Sequence, residues 1–204
     1  MNFLYEFALG GAILAAVTSS LAIVLNDRRL IVGMLAGEYF ALAWLAALVL
    51  PVQMSAVKLL AGLMACGALA IAAVPRRKQR PEAWHWFIPS SRLFRLLAVA
   101  IVLVFSWGVT RLGWTPVPNL PVESSFGFLF LIGAGLLHIG ISEEPLRVGI
   151  GLLTMLAGFE IAYSAIEPSL AVMALLGALH LGISIVVSYL MTSAGGEIIA
   201  KGAP

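Results

Sequence analysis

Two short stretches place an acid inside apolar text. "MLAGEYF" (residues 34–40) carries Glu38, and "MLAGFEI" (155–161) carries Glu160. Both lie in runs long enough to cross a bilayer. A charge at such a depth costs at least about 2.5–3.5 kcal/mol on insertion-type scales. A carboxyl group there gains or loses its proton as its surroundings change, which is what a proton relay needs. Glu38 sits about nine residues from the basic end of its run, roughly 13 Å deep at the helical rise.

Two further titratable groups follow in step. An offset of 122 carries Glu38 onto Glu160 and Lys58 onto His180. Each half therefore has an acid followed twenty residues later by a basic or titratable group on the next run. Lys58 lies some five residues inside the other end of its run. It reads either as a proton-carrying or charge-biasing lysine or as one that snorkels to the surface. His180 falls mid-run, and imidazole suits a relay near neutral pH; a neutral histidine joining two helices is the plainer reading. His138, near a run's basic end, reads as interfacial packing. Tyr163 and Ser164 follow Glu160 by three and four positions, and Ser184 and Ser188 follow His180 at helical intervals. That spacing lets them hydrogen-bond the titratable group, hold a water beside it, or simply pack helix on helix. The expected relay is Glu38, Lys58, Glu160 and His180, supported by Tyr163, Ser164 and Ser184. No residue reads as catalytic, cofactor-binding or metal-binding.

The elements that must position these groups are membrane helices. Of 204 residues, 61% are hydrophobic and 11% charged, where a soluble domain carries about a quarter charged. Mean hydropathy is +1.04. Runs of about 20 apolar residues predict an all-α, polytopic membrane bundle, with spans near 3–25, 30–50, 54–74, 95–112, 125–142, 147–166 and 169–191. The runs lack the strict alternation of a transmembrane barrel. The first run has no basic leader and is followed by Arg28 and Arg29, so it reads as a retained helix rather than a cleaved signal. One cysteine, Cys66, and three scattered histidines form no disulfide framework, thiolate metal site or iron–sulfur ligand set.

Basic residues sort the topology. Arg28, Arg29, Arg76, Arg77, Lys78, Arg80, Arg92, Arg95, Arg147 and Lys201 fall on one side, and Arg111 on the other. The basic side is then cytoplasmic, with the N-terminus outside and the C-terminus inside. Trp84, Trp86 and Phe87 in the basic loop suit the headgroup region, so that loop reads as a lipid anchor rather than a nucleic-acid surface. The loop with Pro116, Pro118 and Pro121 reads as an extended connector. The offset predicts two parallel three-helix units, 1–75 and 125–204, joined by residues 76–124 with a connector helix. The turn prolines, Pro51 and Pro168, miss the offset by five positions.

"GIGLLTMLAGFEIAYSA" followed by "ALHLGISIVVSYL" resembles the small K-type (4L) subunit of respiratory complex I and the C-type subunit of multi-subunit cation/proton antiporters. The whole chain, with "VKLLAGL" in its third run, resembles hydrogenase-4 component E. That resemblance implies a non-redox subunit of a complex I-related hydrogenase or oxidoreductase in a bacterial or archaeal cytoplasmic membrane. It implies antiporter-like partner subunits, no cofactor of its own, and H⁺ as the ion carried, with Na⁺ as the alternative. By position, Glu160 matches the mid-membrane Glu of the K-type unit and Lys58 the third-helix lysine. The unit's second acid falls near His180, where this chain has no carboxylate. "SEEPLR" replaces a more basic loop and leaves Arg147 alone there. A stand-alone secondary transporter and a structural or assembly subunit are the competing expectations. The first of these calls for Gly/Pro-broken helices at a binding site.

Overall fold

The computed structural model describes residues 2–48, 50–73, 92–113, 120–167 and 169–201, with side chains between Phe7 and Ser193. Among them the chain forms seven helices and no strand. These are α1 (Asn2–Val24), α2 (Arg28–Ala47), α3 (Val52–Ala72), α4 (Arg92–Arg111), α5 (Val122–Ile141), α6 (Pro145–Ile166) and α7 (Leu170–Lys201). All seven are long and apolar enough to span a membrane, where a helix satisfies its backbone internally. The expected multi-pass helical bundle is what forms. Trp84, Trp86, Phe87 and the loop basics from Arg76 to Arg80 lie outside the described residues, as do Pro116, Pro118 and Pro168.

Local chemistry sets the helix ends. The turn between α1 and α2 is three residues long, and the Asp27 carboxylate caps α2 by accepting from the Arg29 amide at 3.0 Å. Pro51 and Pro121 stand immediately before α3 and α5, and Pro145 opens α6. α7 runs about ten residues past its expected end.

Consecutive helices pack together in both halves, and further contacts join α1 to α5, α2 to α6 and α3 to α7. α6 lies at the centre, with 61% of its span buried, whereas α4 lies at the edge, with 17% of its span buried. Small residues bring α5 and α6 into backbone contact. A methyl group on Gly135 would stand 2.6 Å from the Gly151 carbonyl oxygen, and one on Gly151 would stand 2.8 Å from that of Gly135. Only hydrogen fits at either position, as is common where membrane helices approach closely. Around this seam Leu35, Leu45, Leu69, Phe130, Leu131, Leu146, Ile150 and Leu153 form a fully enclosed apolar core.

At the basic end, polar bonds tie four helices together. Arg28 Nε stands 2.7 Å from Glu144 Oε1, and Arg147 Nε 3.4 Å from Glu144 Oε2. Arg147 Nη2 donates to the Leu25 carbonyl at 2.7 Å and to Asn26 Oδ1 at 3.2 Å. Arg95 Nη1 donates to the same Asn26 oxygen at 2.8 Å and to the Ile23 carbonyl at 3.4 Å.

Candidate functional site

Three helices converge on Glu160. Lys58 Nζ, from α3, lies 4.0 Å from Glu160 Oε2, and His180 Nδ1, from α7, lies 3.7 Å from Glu160 Oε1. The lysine and glutamate side chains are 8% and 7% exposed. Lys58 therefore does not snorkel; its ammonium is held inside against an acid. The reason is register: Lys58 is the seventh residue of α3 and Glu160 lies six residues before the end of α6, so antiparallel helices bring them to one depth.

His180 Nδ1 lies 2.8 Å from the Leu176 carbonyl oxygen of its own helix. A carbonyl only accepts, so Nδ1 carries a proton. In the neutral ring Nε2 is then a bare acceptor, and it is buried with no hydrogen-bond partner. The edge of the ring meets Tyr39 of α2, with centroids 5.4 Å apart. The Tyr39 hydroxyl is likewise buried and without a partner. Tyr39 reaches this position because Gly62 of α3 gives way to it, since a Cβ at 62 would collide with the phenol ring.

Glu38, the neighbour of Tyr39, is buried mid-helix. Thr154 Oγ1, from α6, donates to Glu38 Oε2 at 3.2 Å, while Oε1 has no partner. Thr154 and Glu160 are six residues apart on α6, so the acids differ in depth by about 9 Å. The buried polar groups form two clusters, Thr154 with Glu38 and Lys58 with Glu160 and His180, and the Tyr39 ring stands against His180.

Beyond Lys58 a cavity of about 10 Å³ is lined by Lys58, Ser124, Ser164 and apolar residues of α2, α6 and the segment before α5. That is room for about one water with three polar neighbours. Lys58 makes no hydrogen bond among the described residues, so its three N–H groups have this space to face.

The expected relay residues are all buried, and three of them meet. Lys58 joins the acid of the other half, Glu160, rather than Glu38. The supporting residues behave differently. Tyr163 donates to Glu167 at 3.3 Å, on the exposed side, and Ser164 donates back to the Ile161 carbonyl at 2.9 Å; neither bonds Glu160. Ser184 bonds the Leu181 carbonyl of its own helix, and Ser188 crosses to the Ala68 carbonyl of α3. His138 is buried near the basic end of α5, away from Glu160. Thr154, Tyr39 and Gly62 escape sequence reasoning. A lone hydroxyl, phenol or glycine in apolar helix text has no marker of its own, although Tyr39 adjoins the acid at 38. Among the described residues no group of His, Cys, Asp and Glu could hold a metal ion. No protein-family model, characterised protein or solved structure matches this chain.

Proposed function

We propose that this chain is a proton-handling subunit of a larger membrane assembly, with Glu160 as its central exchange group. One observation carries the reading: an acid, a lysine and a histidine from three helices meet inside an apolar bundle that a plain anchor would fill with leucine. Such groups are costly in a membrane and mark ion pathways and proton relays. In this reading a proton passes between Lys58 and Glu160 beside the small cavity. Between Glu160 and the second acid, Glu38, which Thr154 steadies, His180 is the carrier: its bare Nε2 takes up a proton as Nδ1 releases its own to Glu160. The helices bearing these groups run unbroken, which favours fixed relay groups over the split helices of a transporter site. The contacts of α1 with α5, α2 with α6 and α3 with α7 support two parallel three-helix units. The positive-inside pattern supports a cytoplasmic C-terminus. The resemblance to hydrogenase-4 component E supports a complex I-related oxidoreductase as the assembly and antiporter-like subunits as partners, with H⁺ as the ion and Na⁺ as the alternative.

The test is Glu160→Gln, which keeps shape and hydrogen bonding but cannot exchange a proton. Proton translocation by vesicles containing the assembly should fall at least about a hundredfold, the lower end of the range for removing a positioned acid or base. The subunits should still copurify. Unchanged translocation contradicts the proposal, and loss of the assembly itself favours a structural role.

A further inference from the structure

We propose that the basic end of the bundle binds the phosphate group of an anionic phospholipid, seated among the α1–α2 turn, the start of α4 and the start of α6. Three guanidiniums, Arg28, Arg95 and Arg147, are linked there through Asn26 and Glu144. Among the described residues Glu144 is the one carboxylate bonded into that network, where Arg28 and Arg147 share it and guanidiniums outnumber carboxylates three to one. The backbone carbonyls and the Asn26 oxygen satisfy N–H groups but offset no charge. Arg95 and Arg147 converge on the same Asn26 oxygen, at 2.8 and 3.2 Å, so like charges are held close together. Arg147 is buried, and Arg95 Nε is enclosed with no acceptor among the described residues. An anion with several oxygens would answer the surplus charge, and guanidinium forks match phosphate geometry.

Position identifies the anion's source. Arg28 is the first residue of α2, Arg95 the fourth of α4 and Arg147 the third of α6. All stand where the helices leave the hydrocarbon, at the depth of lipid headgroups. Arg29 and Arg92 are exposed and serve general attraction to an anionic surface; buried Arg147 and half-buried Arg95, held by bonds to Asn26, make a specific seat beside Arg28.

The experiment uses the full chain in neutral detergent and follows its unfolding temperature. Phosphatidylglycerol should raise it in a saturable way, and phosphatidylcholine should not. Arg95→Gln should weaken the apparent lipid affinity about fivefold, the change expected for one basic side chain near a membrane surface. Arg28→Gln, altered at a half-exposed residue, gives the same test if the first variant does not fold. Arg111→Gln, at the opposite end, should respond like the native chain. Three results would overturn the proposal. One is no shift with phosphatidylglycerol. Another is equal weakening by Arg111→Gln, which means diffuse charge. The third is an equal shift with inorganic phosphate alone, which means a free-anion site.

Discussion

Glu160 faces two bases, and neither contact is short enough to be a hydrogen bond. At 4.0 and 3.7 Å the acid lies beside the lysine and the imidazole but is clamped by neither, since strong N–H···O bonds close to about 2.7–3.2 Å. A carboxylate fixed by short bonds would hold one protonation state; this arrangement leaves room for transfer. If Lys58 and Glu160 act as a pair, their substitutions are coupled. Lys58→Met should destabilise the protein by about 3 kcal/mol by removing the cation beside the buried acid. Adding Glu160→Gln should recover a large part of that loss, as measured by unfolding in detergent. Strictly additive losses would dissolve the pair. The sequence showed which residues were out of place in lipid, because any charge in an apolar run stands out. It did not show which of them meet. Lys58 and Glu160 are far apart in the chain, and the repeat offset associates Lys58 with Glu38 instead. Tyr163 shares a helical face with Glu160 as its spacing implies, yet its hydroxyl turns to exposed Glu167 at the wetter end of α6.

Helix boundaries were legible where a residue enforces them. Asp27 accepts an amide at the start of α2, and Pro51, Pro121 and Pro145 stand at the starts of α3, α5 and α6. The end of α7 was not, because falling hydropathy after residue 191 marks exit from lipid, and a helix has no reason to stop there. Packing between helices was also hidden: all twenty glycines look alike in sequence, but few of them sit against another backbone. Gly135 does, and Gly140 of the same helix has nothing within 4 Å of an added Cβ. Gly135→Ala should therefore cost about 1–3 kcal/mol of stability by forcing α5 from α6. Gly140→Ala should be neutral or slightly stabilising, since alanine is the better helix former. Equal effects, read by thermal unfolding in one detergent, would contradict the close seam. Gly62 acts on the site itself: its missing side chain lets Tyr39 lie between α2 and α3 and touch His180.

Taken whole, the molecule is an apolar bundle with a polar thread through its centre and a basic ring at one end. The bundle follows directly from composition, since a chain this apolar has little alternative to membrane helices. The thread needed tertiary structure, because it is assembled from α2, α3, α6 and α7 by contacts between the two halves. Its weakest stretch is the roughly 9 Å step in depth between Glu38 and Glu160; Tyr39 and His180 stand ring against ring, and the Tyr39 hydroxyl and His180 Nε2 are both buried without partners. The central claim is that Glu160 changes its protonation during turnover. Infrared difference spectroscopy on the active assembly tests it directly, because a buried carboxylic acid has a C=O stretch that a carboxylate lacks. The account predicts a carboxyl band that appears or disappears with turnover and is missing in Glu160→Gln. A difference spectrum with no such band, or with a band that survives Glu160→Gln unchanged, would contradict it.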